Sequence, residues 1–342
     1  MNTVCPDYLN QPLTIGNRQI GKRLVLAPMS KLGNPAFREL LSQYGGYGLL
    51  FSEMCNSRAV PQGGSAAEVC GFVWRPEELP MLVCQIFGNE PERMAAAAER
   101  IEREGFFGVD INFGCCASSV CRKNFGAAIL KDPDLAVQIV SAVRDAVSIP
   151  LFVKYRVGWA DDPKPAVDLA RRFEDAGADA LTFHPRVAPD RRTRPPKWSY
   201  IALIKDAVRI PVLGNGNVFD GNGCEQMVRT TGCDGVALGR IAIARPWIFA
   251  ELTGTIEPDP TTIYHDCATE LIRLMLKHFS PGLALKRFIR FFQYFAANFR
   301  FGHVLFRDIR QAETLDEVEE ILDRFFQNSP EICSFPNISL FR

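Results

Sequence analysis

The sequence predicts an α/β protein, a (β/α)8 TIM barrel followed by a small all-helical domain. Short apolar β-type runs alternate with amphipathic helical segments from Val25 to about Glu251. Eight such runs occur, each followed by a helix or a helix-sized segment, the repeat of a parallel barrel. After Thr253 comes the linker Glu257-Pro-Asp-Pro-Thr261, and Thr262–Phe326 then reads as helical throughout. The expected division is a barrel over residues 1–253 and a helical domain over residues 254–342. An open doubly wound sheet is the alternative. It usually carries Gly-x-Gly-x-x-Gly after its first strand, and none stands there.

Each element has its own justification. Leu13–Arg23, turning at Gly16-Asn17, reads as a hairpin that plugs the bottom of the barrel. The strands expected are Val25–Met29, Gly48–Met54, Met81–Gly88, Gly108–Gly114, Leu151–Gly158, Ala180–Arg186, Val212–Val218 and Gly235–Arg240. Most are continuous apolar runs, as suits strands covered on both faces. Glu92–Arg103, Asp134–Val147, Ala166–Ala176 and Tyr200–Val208 carry apolar residues at helical spacing between them. In the C-terminal region Glu270–Phe279, Ala284–Phe299 and Leu315–Phe325 do the same, with Pro281-Gly282 separating the first two.

Composition narrows the class. The chain has 342 residues, 47% hydrophobic and 23% charged, as in an ordinary soluble globular protein. Lys+Arg and Asp+Glu both total 39, so net charge selects no polyanionic partner. The 11 cysteines have no paired framework spacing, and Met1–Leu26 contains no apolar stretch of signal-peptide type. No run approaches the roughly 18 apolar residues of a membrane span. A cytoplasmic chain with reduced thiols, no membrane partner and a monomeric state is expected. Cys115, Cys116 and Cys121 invite a metal reading, but neighbouring cysteines rarely chelate one ion well. No metal is expected; an oxidation-sensitive thiol pair is the better reading.

Polar residues recur at the carboxyl ends of the expected strands, where parallel barrels do their chemistry. They are Pro28 and Ser30, Glu53, Gln85, Asn112 with Cys115, Lys154 with Arg156, His184 with Arg186, Asn215, and Arg240. Any one serves equally well as a satisfied structural residue, and a buried lysine without a partner is costly. Convergence from all eight strands is not explained by packing. Gly214-Asn215-Gly216-Asn217 and Gly239-Arg240 read as a phosphate cup, glycines admitting an anion to backbone N–H groups and arginine clamping it. A lysine at the position of Lys154 suits the negative charge of a reduced flavin ring. Cup and lysine together point to flavin mononucleotide (FMN).

The order of motifs adds to this. Ala27-Pro-Met29, Ser52-Glu-Met54, Gln85-Ile-Phe-Gly88, Asp110-Ile-Asn-Phe-Gly-Cys115, Lys154-Tyr-Arg-Val-Gly-Trp159 and His184-Pro-Arg186 follow one another at the strand ends. Gly214-Asn-Gly216 and Thr231-Gly-Cys-Asp-Gly-Val-Ala-Leu-Gly-Arg240 complete the series. In this order the chain resembles the tRNA-dihydrouridine synthases, over roughly Leu13 to Phe326. The resemblance implies an FMN-binding barrel with an RNA-holding helical domain. It implies reduction of the C5–C6 bond of uridine in RNA, most of all tRNA, with NADPH as reductant. Cys115 would be the acid that protonates C5. Pro28, Met29, Gln85, Lys154, His184, Asn215, Gly216, Gly239 and Arg240 would hold FMN. Asn112 and Arg156 would orient the base, with Glu53 and Arg186 lining its site. The chain departs from the family's usual pattern at Cys116, where proline is usual, at Ser30-Lys-Leu-Gly-Asn34, at Pro185, at the displaced Arg192-Thr-Arg194 and at Asn217.

Two segments are basic despite the neutral total. His184–Trp198 carries Arg186, Arg191, Arg192, Arg194 and Lys197 against Asp190. Leu271–Arg310 carries Arg273, Lys277, Lys286, Arg287, Arg290, Arg300, Arg307 and Arg310 against Asp308. The imbalance of sign favours contact with phosphates. The interleaved phenylalanines read as helical core. Two other functions stay open: an FMN barrel oxidoreductase for a small pyrimidine or an enone, and an RNA-binding homologue whose catalysis has decayed.

Overall fold

The computed structural model describes residues 5–62, 71–190 and 194–340. An antiparallel hairpin opens the barrel region, β1 (Leu13–Ile15) with β2 (Arg18–Ile20). Eight parallel strands follow: β3 (Leu24–Leu26), β4 (Leu50–Asn56), β5 (Leu82–Phe87), β6 (Gly108–Phe113), β7 (Leu151–Gly158), β8 (Ala180–Val187), β9 (Val212–Asn215) and β10 (Gly235–Leu238). Their order is β3-β10-β9-β8-β7-β6-β5-β4. The two edges then meet: Gly48 N donates to Leu24 O at 2.7 Å and Leu26 N to Leu49 O at 2.9 Å. The sheet closes on itself as a TIM barrel.

Every expected strand forms, but three stop two or three residues short of their expected carboxyl ends. β3 ends at Leu26, two residues before Pro28, which has no N–H for the ladder. β9 ends at Asn215 because Gly216 turns to φ 125°, and β10 ends at Leu238 before Gly239 leaves extended geometry. The helices Pro91–Arg103, Pro133–Ala146, Lys164–Asp175 and Ser199–Ala207 lie within a few residues of the expected ones. Each of the first two begins with proline, whose fixed φ suits a first helical turn.

Both faces of the strands are covered, which is why their sequences are apolar almost throughout. Outward, Phe113 stacks on Phe173 of helix Lys164–Asp175 at 5.7 Å, and Tyr155 meets the same ring edge-on at 5.4 Å. The buried Tyr155 hydroxyl donates to Ala166 O at 3.2 Å. Inward, Val25, Phe51, Val83, Phe152, Ala180, Leu213 and Ala237 share one core with Leu13, Ile15 and Ile20 of the hairpin. The hairpin therefore plugs the amino end of the barrel, as the turn at Gly16-Asn17 leads one to expect. Gly16 at its tip has φ 55°, and a Cβ there would sit 2.8 Å from the Asp179 carboxylate.

By packing, the chain forms two units, Met1–Ser30 with Tyr47–Leu238, and Lys31–Gly46 with Gly239–Arg342. The second contains the helix Pro35–Tyr44, from far up the chain, and the helices Ile263–His278, Pro281–Phe295, Gly302–Gln311 and Leu315–Gln327. The Asn34 side chain caps the first of these by accepting from Phe37 N at 3.1 Å. Phe288, Phe291, Phe292 and Phe295 form the core of this unit, and Phe37 reaches Phe291 at 6.0 Å. The helix expected over Ala284–Phe299 ends at Phe295. There the buried Asn298 side chain donates to Phe295 O and Ala244 O, and Phe301 takes a left-handed φ of 58°. Among the described residues no helix is long and apolar enough to cross a membrane.

Candidate active site

Side chains alternate along a strand, so residues two apart on β5, β7 and β9 share the inward face. Above Val83, Phe152 and Leu213 stand Gln85, Lys154 and Asn215, and the inward face turns from apolar to polar within one step. Parallel register lines these residues up across strands. Met54 pairs with Gln85, Gln85 with Asp110, Asn112 with Lys154, Lys154 with Thr182, and Arg156 with His184.

A chain of hydrogen bonds runs through this level. Gln85 Nε2 donates to Asp110 Oδ2 at 2.6 Å, and Asn112 Nδ2 donates to Gln85 Oε1 at 2.7 Å. Asn112 Oδ1 then accepts from the backbone N–H groups of Gly114, at 3.1 Å, and Cys115, at 2.9 Å. Lys154 Nζ donates to Asn215 Oδ1 at 3.2 Å, and Asn215 Nδ2 donates to Ala237 O at 2.7 Å. Arg156 Nε reaches Gly114 O at 2.6 Å, so the loop entering Cys115 is held from β6 and β7 at once.

Burial shapes the charges here. It pushes the Asp110 carboxyl up, against the opposing pull of the Gln85 hydrogen bond and the Lys154 charge. It pushes the Lys154 ammonium down, helped by the positive charge of Arg156 and opposed by Asp110. The Cys115 thiol is also raised, chiefly by burial. Such a thiol keeps its proton at neutral pH and can give it away. Cys115 O accepts from Ala127 N at 2.9 Å and from the Cys121 thiol at 3.5 Å. Gly126 makes this turn possible, since a Cβ there would meet Cys115 O at 2.5 Å. Cys116 and Cys121 are half-buried beside it. Among the described residues no cluster of three His, Cys, Asp or Glu side chains is arranged to hold a metal ion.

On the far side of the barrel, Gly216 faces His184: a Cβ at Gly216 would lie 3.0 Å from His184 Cδ2. Trp198 Nε1 donates to Gly216 O at 2.8 Å, fixing the turn. The buried Arg186 donates to Arg194 O at 2.7 Å and to Asn217 Oδ1 at 3.2 Å. Pro185 sits where the β7–β8 register slips by one residue, a place that tolerates a residue without N–H. A similar slip between Phe51 and Met54 surrounds Glu53, which is buried beside Gly71. Pro28 and Met29 are half-buried just past β3. Gly239 and Arg240 follow β10 directly in the chain and begin the second unit.

Gln85, Asn112, the Cys115 loop and Arg156 are thus joined through hydrogen bonds, Lys154 and Asn215 form a separate bonded pair, and His184 is set against Gly216. Asp110, Thr182 and Trp198 were not among the expected site residues. Asp110 had a signal, a carboxylate inside the apolar run Gly-Val-Asp-Ile, two residues before Asn112. Among the described residues the buried Thr182 Oγ1 has no hydrogen-bond partner.

Several residues of the basic segments are paired within the chain. Lys197 meets Asp161 at 2.5 Å, Arg273 meets Glu270, Lys277 meets Glu39 and Arg300 meets Glu331, each of these three at 2.6 Å. Arg191 and Arg192 lie outside the described residues.

Comparison with known proteins agrees with this geometry. Residues 25–330 match the family model described as dihydrouridine synthase (Dus). The chain is 34% identical over 331 residues to a probable tRNA-dihydrouridine synthase of Mycobacterium tuberculosis, covering 91% of this chain and 84% of that one. It is 33% identical over 324 residues to tRNA-dihydrouridine synthase B of Pectobacterium carotovorum, covering 92% and 99%. Solved structures of similar fold include the old yellow enzyme from Trypanosoma cruzi, with TM-score 0.55 and 13% identity over 74% of this chain and 93% of that one. A morphinone reductase variant in complex with tetrahydroNAD gives TM-score 0.54 and 17% identity, with the same coverage of each chain. With its closed barrel, its ordered series of strand-end motifs and a family match over most of its length, the chain belongs to the dihydrouridine synthase family of oxidoreductases.

Proposed function

We propose that this protein reduces uridine to 5,6-dihydrouridine in tRNA, with FMN as bound cofactor and NADPH as reductant. The observation that carries the reading is the polar level of the barrel, where Gln85, Asn112, Lys154 and Asn215 are hydrogen-bonded in place around the loop that presents Cys115. Two features fit a flavin nucleotide. Gly216, at φ 125° against His184, leaves room for backbone and anion but none for a side chain. Lys154 brings a cation to the inward face, and the unpartnered Thr182 hydroxyl beside it can take a hydrogen bond from a ligand or give one.

On this reading Pro28, Met29, Gln85, Lys154, His184, Asn215, Gly216, Gly239 and Arg240 hold the cofactor. The chemistry such a group supplies when bound is hydride transfer, from the nicotinamide to C6 of the base. Asn112 and Arg156 orient the uracil, and Glu53 and Arg186 line its site. Cys115 holds the proton that C5 needs as charge develops there, and burial keeps that thiol protonated. The target base must leave its stack to be reached. Residues 1–253 act as the catalytic domain and residues 254–342 as the RNA-holding one, in a monomeric cytoplasmic protein.

The intramolecular pairing of Arg273, Lys277 and Arg300 favours a second reading, an FMN oxidoreductase for a small pyrimidine or enone. Exposed pairs of this kind are weak, and a phosphate readily replaces the carboxylate. One experiment separates the two. The purified protein should show a flavin spectrum, and with NADPH and tRNA lacking dihydrouridine it should add two hydrogens at particular uridines, mapped by mass. A yellow protein active only on free pyrimidines would establish the second reading instead.

A further inference from the structure

The hydrogen-bond chain ending at Cys115 has a beginning as well as an end. Its last acceptor, Asn112 Oδ1, faces two backbone N–H groups, which can only donate. That fixes the Asn112 amide: its NH2 must point back to Gln85 Oε1. The Gln85 NH2 must in turn point onward, deeper into the strands, where only an acceptor will do. Asp110 supplies it. It is fully buried, it lies in register beside Gln85, and its Oδ2 takes the Gln85 NH2 at 2.6 Å. The polarity of the whole relay is therefore consistent from a carboxylate at one end to donor-only amides at the other.

We propose that Asp110 is a positioning residue for the Cys115 loop: as the terminal acceptor of the Gln85–Asn112 relay, it locks both amides in the orientation that holds the Gly114 and Cys115 N–H groups. Neither amide has another way to satisfy both ends in this arrangement, because turning Asn112 would set an NH2 against the two loop donors. Without the acceptor at 110, the Gln85 NH2 is left buried and unpaired, a state costly enough to drive rearrangement. Arg156, which holds Gly114 O from β7, would remain as a grip on that peptide from the other side. The inference rests on the hydrogen bonds themselves. It bears on catalysis through the reading of Cys115 as proton donor given above.

The test needs neither cofactor nor RNA, so its failure is distinct from failure of the proposed activity. Amide hydrogen exchange is followed by NMR in the full-length protein, with Gly114 and Cys115 as reporters. Val109, whose N–H donates to Pro150 O in the sheet, is the internal control. In Asp110→Ala both loop amides should exchange at least tenfold faster while Val109 is unchanged. Asp110→Asn, which keeps an oxygen for Gln85, should restore protection to within about threefold. Should Asp110→Ala fail to fold, Gln85→Leu cuts the same relay one link later and should give the same tenfold rise. Loop amides that exchange at the wild-type rate in whichever of these variants folds would overturn the proposal. So would Asp110→Asn being as fast as Asp110→Ala, or a rise shared equally by Val109.

Discussion

Two levels of one barrel interior differ by a single step along each strand. At the lower level Phe51 meets Phe152 edge-on at 5.4 Å, among Val83, Ala180, Leu213 and the apolar side of the hairpin. At the upper level the same strands present Gln85, Lys154, Thr182 and Asn215. Backbone, twist and neighbours are shared, and only the side chains change. Stability therefore resides where apolar area is removed from water. The level above it gives some of that stability back, because buried amides and charges break even at best with well-packed hydrocarbon. Such a level is kept for what it binds.

The largest expected effect of breaking this division is chemical. Cys115→Ala should lower base reduction by about 10²–10⁴-fold, the usual worth of a positioned acid, while reduction of the bound flavin by NADPH continues. Base reduction at an undiminished rate would place the proton on another group. Next comes the lower level: Phe152→Ala should cost about 3–5 kcal/mol in a denaturant melt, the range for truncating a buried ring. A loss below about 1 kcal/mol would show that the hairpin and its partners are not the core. Gly216→Ala tests the boundary of the upper level. Its positive φ should cost about 1–3 kcal/mol, and displacement of His184 should weaken flavin retention on a gel-filtration column; unchanged retention would remove His184 from the cofactor site. The mildest effect is on pH. A raised thiol pKa means the acid is loaded through neutrality, so single-turnover base reduction should stay flat up to the ordinary thiol range and decline only above it. A decline beginning below pH ~8 would mean that Cys115 ionises too early to be the donor.

Much of this was legible in the residues alone. Continuous apolar runs located all eight barrel strands, because a strand buried on both faces can hold little else. Polar residues at their ends located Gln85, Asn112, Lys154 and Asn215. Four things were not legible. The role of Asp110 was one: a carboxylate inside an apolar run marks the position, but its meaning comes only from the register with Gln85. The slips around Glu53 and Pro185 are properties of strand pairs, so neither strand's sequence reveals them. The basic segments showed their sign but not their pairing, since Glu39 and Lys277 are brought together by helices far apart in the chain. The helix Pro35–Tyr44 was hidden for a similar reason: its place is with the phenylalanines of the second unit, not with the strand before it.

The hairpin at the amino end has a kinetic corollary. A vessel stoppered below has one mouth, and whatever donates electrons must use the same entrance as whatever receives them. With Leu13, Ile15 and Ile20 sealing the floor, nicotinamide and nucleobase would take turns at one face of the bound ring. On the proposed function, the order of events in each cycle would then be imposed by a stopper of apolar side chains set apart from both visitors.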